Sequence, residues 1–523
     1  MSNTGLLVLT NPARVAKLLP IIKKHVLKTL YVQYFPEKNI FLPGSYTAAN
    51  HQWKVTRYAQ IVSNIYTDTS AIPKLDVRVL LTSMKNPNSS VINTKKPVEI
   101  VIFDEICSKK DADTFIQDYL ANTSMGCNFI AFNDYQTTEK EDDVITCTKE
   151  DKTYKNVVLG GTFDRIHNGH KIFLSDAALH CVERLTIGIT DTNMLAGKLL
   201  WELIEPCPTR IMHLRDFLED IDSTLTYNIV PIQDMYGPTR TDPTLDMIVV
   251  SEETKRGGEK VNELREQLNL KKLDIRVVRL VRDKDHREHE ENKISSSNLR
   301  IRMLGSKLRP PRIGDKPSKP YVIGLTGGIA SGKSSVAEKV QKLGAALVNC
   351  DTIAHELYLP GERCYDAVVE NFGPAVVKAD GSIDRKALGN IVFKDAAQLN
   401  KLNKLVWPLI MEEAKKRIHD FYTKGFELVV MEAAVLIQAK WQNECHEVWT
   451  CIIPQQEAIR RVMERNRLTE DEAKARIQVQ PSNLEQVNEA NVVICSLWSH
   501  DITAEQVQKA WNETIAFLSK NNS

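Results

Sequence analysis

The chain has 523 residues, 42% of them hydrophobic and 26% charged. That composition fits roughly three folded domains and excludes a disordered or low-complexity chain. A net charge of +1 provides no whole-chain field for nucleic acid or a membrane surface. The ten cysteines are scattered without a Cys-x-x-Cys pair, which excludes a zinc ribbon or disulfide framework and suits a reducing compartment.

The N-terminal stretch, Met1 to Pro36, has no acidic residue but carries Arg14, Lys17, Lys23, Lys24 and Lys28. Leu18, Leu19, Ile21, Ile22, Val26 and Leu30 fall on a helical spacing. Two readings follow: a mitochondrial or membrane-surface signal, or a crossover helix after a buried strand at Gly5–Thr10. The structural reading is preferred. Residues 1–142 alternate β-prone runs (Leu6–Leu9, Thr29–Tyr34, Val77–Thr82, Val98–Phe103) with helical patterns (Arg14–Leu27, Trp53–Tyr66, Asp111–Leu120). That order predicts an α/β layer domain of unassigned role. The polar run Asp134–Asp143, with Thr146–Lys155 after it, reads as a linker.

A second α/β domain is expected over 155–304. The strand Val157–Leu159 runs into Gly160-Gly-Thr-Phe-Asp-Arg-Ile-His-Asn-Gly-His170, then a helix over Lys171–Ala178. His167 and His170 are three apart at a helix start and can face the same way. Gly169 leaves room for a phosphate against the backbone. The histidines would border an anion site at the first-turn N–H groups, although a metal pair with Asp164 or a surface histidine pair is also open. Farther on, Ser295-Ser-Ser297 precedes Arg300, and consecutive hydroxyls before a helix act as caps or phosphate ligands.

Residues 305–320, rich in Pro, Gly and Lys, predict an extended, semi-stiff linker. The third domain, 321–518, opens on the strand Tyr321–Leu325 and the loop Gly327-Gly-Ile-Ala-Ser-Gly-Lys-Ser334. This is the full P-loop pattern between a strand and a helix over Ser335–Leu343. Its candidate phosphate contacts are Gly327, Gly328, Ile329, Ala330, Ser331, Gly332, Ser334 and Ser335. Lys333 would reach the β/γ-phosphates of a nucleoside triphosphate, and the Ser334 hydroxyl would help hold Mg²⁺. Asp351 ends the next strand, where it could meet an acceptor hydroxyl or cap a helix over Thr352–Leu359. Lys404–Ile410 opens a helix, and Glu432 ends a second buried strand as a possible outer Mg²⁺ partner. Arg461 and Arg465 lie on an arginine-rich helix that reads as a solvated face or as a lid over phosphates.

The middle segment resembles the nucleotidyltransferase superfamily, and more closely phosphopantetheine adenylyltransferase of the eukaryotic form. The resemblance rests on Gly161–Asp164, His167–His170, Met194–Lys198, Val230–Pro238, Val250–Gly258 and the serine triplet. It implies a Rossmann-like parallel sheet and adenylyl transfer from ATP to 4′-phosphopantetheine. His170 would sit at the transferring phosphate with His167 beside it, and Lys198 would bind the acceptor phosphate or the α-phosphate. Gly161, Thr162, Phe163, Gly169, Ser295, Ser296, Ser297 and Arg300 would line the triphosphate. Arg256 would lie in a loop covering the nucleotide.

The segment from Tyr321 to about Asn512 resembles dephospho-CoA kinase. It does so through Gly324–Ser334, Cys350–Ala354, Pro360–Gly361, Asp380–Gly381, Trp407–Pro408, Arg461-x-x-x-Arg465 and Gln478-x-Gln480. Asn349, Trp407 and Glu432 depart from the bacterial pattern, which throws more of the implied role onto Asp351. The resemblance implies a P-loop kinase sheet with a helical lid in which Arg461 and Arg465 close over the transferring group. The order of the two segments resembles the animal family of bifunctional coenzyme A synthases. That family implies ATP and Mg²⁺ at work, 4′-phosphopantetheine and dephospho-CoA as substrates and no nucleic acid partner. It also implies a cytoplasmic protein with some peripheral mitochondrial membrane association. Three rivals are a P-loop kinase for another alcohol, a nucleotide-binding scaffold, and a tRNA synthetase. The last is weakened by the lack of a basic surface signature.

Overall fold

The computed structural model describes residues 1–35, 55–72, 74–85, 91–132, 152–314, 316–392 and 395–521. Among them are three five-stranded sheets in which every pairing between strands is parallel. The first sheet holds β1 (Ser2–Leu9), β2 (Val26–Tyr34), β3 (Asp76–Val79), β4 (Val98–Phe103) and β5 (Thr123–Ala131), ordered β3-β2-β1-β4-β5. Its helices are α1 (Val15–His25), α2 (Val55–Thr69), α3 (Thr82–Lys85) and α4 (Lys109–Tyr119).

Leu6 to Leu9 are buried on both faces of β1, as an inner parallel strand requires. Val15, Leu18 and Ile22 of α1 are buried in the same core, so this apolar stripe packs against the sheet as a crossover helix does. β3 is shorter than the predicted Val77–Thr82 because Thr82 starts α3. Trp53 and the run Asp134–Asp143 lie outside the described residues.

The second sheet holds β6 (Tyr154–Gly161), β7 (Cys181–Thr190), β8 (Thr226–Ile232), β9 (Met247–Ser251) and β10 (Asp274–Val278), ordered β10-β9-β6-β7-β8. Read from the β8 edge, this is the same third-second-first-fourth-fifth order as in the first sheet. The helices are α5 (Asn168–His180), α6 (Cys207–Ile221), α7 (Lys255–Gln267) and α8 (Ser296–Met303). The first two sheets fall in one compact unit, Met1–Leu299.

The second unit, Arg300–Ser523, carries the third sheet. Its strands are β11 (Tyr321–Gly327), β12 (Ala346–Asn349), β13 (Leu428–Glu432), β14 (Glu447–Ile452) and β15 (Val492–Cys495), ordered β12-β13-β11-β14-β15. Around it are α9 (Lys333–Lys342), α10 (Cys350–Leu357), α11 (Arg363–Phe372), α12 (Arg385–Val392) and α13 (Ala396–Thr423). They are followed by α14 (Gln455–Asn466), α15 (Glu470–Gln478), α16 (Asn483–Glu489) and α17 (His500–Asn521).

Two expectations are corrected here. The stretch 305–320 is not a free linker: Gly305 N donates to Val493 O and Leu308 N to Asn491 O, and Lys307 pairs with the buried Glu447. Arg312 N likewise donates to His446 O, so the third domain takes up several of this stretch's backbone donors. Lys404–Ile410 does not open a helix but lies inside α13, which carries Pro408 in its interior. No described helix is long and apolar enough to cross a membrane.

Candidate active sites

The second sheet reverses its winding at β6, which lies between β9 and β7, so a crevice forms beyond the carboxyl end of β6. The predicted motif occupies that end. Phe163 and Arg165 both adopt the left-handed region, at φ 49°, which is uncommon for such side chains and marks a loop constrained by its surroundings. Phe163 is buried with its ring 5.3 Å from that of His170. A Cβ on Gly161 would meet the Phe163 ring at 2.9 Å.

His167 and His170 do come together: their rings stack at 3.8 Å between centroids. Their roles differ. His167 is the N-cap of α5, its Nδ1 accepting from His170 N at 3.3 Å. A neutral His167 therefore carries its proton on Nε2, which faces Ser296 Oγ at 3.5 Å. Burial pushes the His170 imidazole down to about 4, against the opposing pull of Asp164. Its Nδ1 is buried without a hydrogen-bond partner among the described residues. His170 is thus a neutral imidazole at pH 7.

The first serine of the triplet caps a helix, as one of the two expected roles has it. Ser295 Oγ accepts from Asn298 N, and Ser296 Oγ donates to Asp164 O at 2.8 Å, tying α8 to the histidine loop. Ser297 follows on α8, and Arg300 on the same helix is buried. Lys198 is exposed on the turns after β7. Thr190, the last residue of β7, donates from Oγ1 to Thr162 Oγ1 at 3.0 Å.

A Cβ on Gly169 would sit 3.1 Å from the His167 ring and 3.3 Å from Ile294 O, so this tight turn needs a residue without a side chain. One expectation changes. Arg256 is not in a loop: it is exposed in the first turn of α7, because Ser251 and Thr254 form a capping box that leads straight into that helix.

Arg210 was not singled out from the sequence. It is buried, and donates from Nη1 to Thr162 O at 2.7 Å, from Nη2 to Thr190 O at 2.9 Å and from Nε to Glu205 O at 2.8 Å. It therefore fixes the backbone of the site loop. The signal was present: Arg210 stands four before Leu214 on the buried stripe of α6, where an apolar residue is expected.

In the third sheet, β11 ends in the P-loop. Gly327 and Gly332 take φ 158° and 84°, and a Cβ on Gly327 would meet Cys451 O at 2.6 Å, so the turn needs glycine. Ala330 is left-handed at φ 60°. Ile329 N donates to Gln480 Oε1 at 2.7 Å, and Ser331 N to Gly328 O at 3.1 Å. The Ser335 hydroxyl accepts from Lys339 Nζ at 2.8 Å.

Lys333 Nζ lies between two carboxylates, 2.7 Å from Glu432 Oε1 and 3.4 Å from Asp351 Oδ2. Glu432 is buried and also takes Ser334 Oγ at 3.3 Å and Asn349 Nδ2 at 2.7 Å. Asn349, not Asp351, caps α10, through Thr352 N. The exposed Asp351 carboxylate, not engaged in the cap, pairs with Lys333 instead. Glu432, read from sequence as an outer partner only, touches both the P-loop lysine and serine.

Arg461 is already docked. Its guanidinium donates to Ala330 O at 3.3 Å and to Ser496 Oγ and O, and it pairs with Glu457. Arg465 lies one turn on, bonded to Asn466 Oδ1. The expected pair of closing arginines therefore divides: Arg461 props the loop backbone, and Arg465 is not brought to it by any described bond.

Two loops at the ends of parallel strands, one led by stacked histidines and one by a lysine between carboxylates, define a nucleotide-using transferase. A dephospho-CoA kinase family model matches residues 321–497, a cytidylyltransferase-like model 158–302, and a COASY N-terminal domain model 3–130. Dephospho-CoA kinase of Carboxydothermus hydrogenoformans is 39% identical over 186 residues, 36% of this chain and 90% of the relative. The Symbiobacterium thermophilum enzyme of the same name is 38% identical over 190 residues, 36% of this chain and 80% of the relative. Among solved structures, TT1252 from Thermus thermophilus is 29% identical at a TM-score of 0.33, covering 38% of this chain and 98% of that one. The chain belongs to the dephospho-CoA kinase family through its third sheet. With the two segments before it, its organisation is that of the bifunctional enzymes for the last two steps of coenzyme A biosynthesis.

Proposed function

We propose that the second sheet transfers the adenylyl group of ATP to the phosphate of 4′-phosphopantetheine, and that the third phosphorylates the product at its ribose 3′-hydroxyl. In the first step an acceptor phosphate oxygen bonds to the α-phosphorus, the bond from that phosphorus to the β-phosphate oxygen breaks, and pyrophosphate leaves. The nucleophile is already an anion, so the site needs no strong base and works by placement and charge stabilisation. The neutral His170 serves as a hydrogen-bond donor from Nε2, since the buried, unpartnered Nδ1 is better left as a lone pair. Arg210 holds the Thr162 carbonyl away from the incoming phosphates.

In the second step the 3′-oxygen bonds to the γ-phosphorus, the bond to the ADP oxygen breaks, and the hydroxyl proton passes to the Asp351 carboxylate. The observation that carries this reading is Lys333 held between exposed Asp351 and buried Glu432 at the mouth of a complete P-loop. Ser334 Oγ and Glu432 Oε1 form a pair of hard oxygen donors of the kind Mg²⁺ uses beside phosphates. When bound there, Mg²⁺ would neutralise phosphate charge.

The test supplies ATP and Mg²⁺ with one acceptor at a time. Pyrophosphate with 4′-phosphopantetheine and ADP with dephospho-CoA are expected. ADP only with another alcohol, such as shikimate or a nucleoside, would contradict the reading. We also propose a cytoplasmic protein with a mitochondrial fraction, checked by subcellular fractionation.

A further inference from the structure

We infer that the N-terminal layer is a working part of the adenylyl-transfer site: it grips both ends of α5 and so sets the His167–His170 turn. The inference rests on the proposed activity of the second sheet. At the start of α5, Asn168 Nδ2 donates to Tyr66 O at 2.8 Å and to Ser70 Oγ at 3.1 Å. One turn on, Lys171 Nζ reaches Asp76 Oδ1 at 2.6 Å and Val77 O at 2.8 Å. At the far end, Lys85 Nζ caps the helix through Ala178 O at 3.1 Å and Cys181 O at 2.8 Å, and also pairs with Asp222. Tyr66, Asp76, Val77 and Lys85 come from the first sheet and its helices, Ser70 from the turn that follows α2, and α2 packs along α5.

The placement matters because Asn168 and Lys171 flank Gly169 and His170. The His170 ring is wedged between the His167 ring and Phe163, so a small rotation of this first turn moves both imidazoles. Lys171 is buried with its amine over the Phe217 ring, and its hydrogen bonds among the described residues go to Asp76 and Val77 of the first sheet, which makes the grip specific to this register. The receiving side is itself braced. Asp76 also binds Arg78, Arg78 reaches Asp216 and Asp220 of α6, and Tyr66 Oη accepts from Val79 N. An interface that only glued two layers together would have no reason to hold the two residues on either side of Gly169 and His170. Asp76 and Lys85 are accordingly positioning residues, acting through α5.

The test uses the full chain with Asp76→Asn, Asp76→Glu and Lys85→Met, assaying pyrophosphate and ADP formation separately and following thermal unfolding. Asp76→Asn is expected to lower kcat for pyrophosphate formation at least ~10-fold, since misplacing reacting groups by about 1 Å costs up to ~100-fold. The KM for ATP should stay within about threefold, ADP formation from supplied dephospho-CoA should be unchanged, and Asp76→Glu should recover most of the rate. Lys85→Met should lower the same kcat by a smaller factor, and it alone decides the matter if Asp76→Asn does not fold. Folded variants with the wild-type kcat would overturn the inference. So would equal losses in both half-reactions. A wild-type chain that forms no pyrophosphate would instead refute the activity on which the inference rests.

Discussion

The first and second sheets share one strand order, yet the ends of their leading strands have opposite contents. After β1, the loop donors Thr10 N, Thr10 Oγ1 and Asn11 N all bond the carboxylate of Asp104, which projects from the end of β4, and Arg14 Nη1 donates to Asp104 O. A phosphate arriving there would meet a fixed carboxylate and find its donors taken. After β6, the corresponding loop carries Thr162 and the stacked histidines, and β9 itself holds no acidic residue. One topology thus supports a plugged crevice and an open one, and side chains at the strand ends decide which.

The comparison can be broken most sharply by chemistry. His170→Ala should cut pyrophosphate formation by roughly 100- to 1,000-fold, the usual cost of losing a group aimed at developing charge, and leave ADP formation intact. Lys333→Ala should do the converse. Asp104→Ala should slow neither half-reaction by anything comparable, and a loss of similar size from it would place chemistry in the first sheet.

The next effect is on stability. Asp104→Ala strips the β1 loop of its acceptor and leaves Arg14 without that carboxylate, at an expected cost of about 3 kcal/mol, read from a denaturant midpoint. A shift below about 1 kcal/mol would mean the plug is incidental.

The pH response should distinguish the two loops more gently. His170 has its folded value depressed to about 4 from an ordinary value near 6.5. Between these limits the unfolded chain binds more protons, so this residue's contribution to stability is lost as pH falls from about 6.5 to 4. The difference in acid sensitivity between wild type and His170→Ala over that pH window should be about 3 kcal/mol, the wild type being the more sensitive. Equal sensitivity would mean that His170 titrates normally. The smallest expected effect belongs to Gly169→Ala, which presses a methyl against the His167 ring and should cost about 1 kcal/mol, or a few-fold in pyrophosphate formation.

Local pattern made much of this legible in the chain itself. The P-loop and the histidine motif are runs of neighbours whose spacing already dictates a turn and a helix start, and both stand where that pattern places them. The clasp on α5 and the plug in the first sheet were not legible, because each depends on groups far apart in sequence, and Arg210 was legible only as a charge on a buried stripe, without its partners Thr162 and Thr190. Lys171 and Asp76 are 95 residues apart, and Asp104 is 94 from Thr10. Glu432 was visible as an acid ending an apolar strand, but only the pairing of β13 with β11 brings it beneath Lys333. The stretch 305–320 misled because Pro and Lys describe a chain without partners, whereas the third sheet's edge supplies them.

The most direct measurement follows 4′-phosphopantetheine, ATP and Mg²⁺ by mass spectrometry with wild type, His170→Ala and Lys333→Ala. Wild type should form coenzyme A by way of dephospho-CoA. Lys333→Ala should stop at dephospho-CoA, and His170→Ala should leave 4′-phosphopantetheine unchanged while still converting added dephospho-CoA. If folded wild-type chain forms neither product, or if either variant abolishes both steps, two separate phosphate sites acting in series is the wrong account.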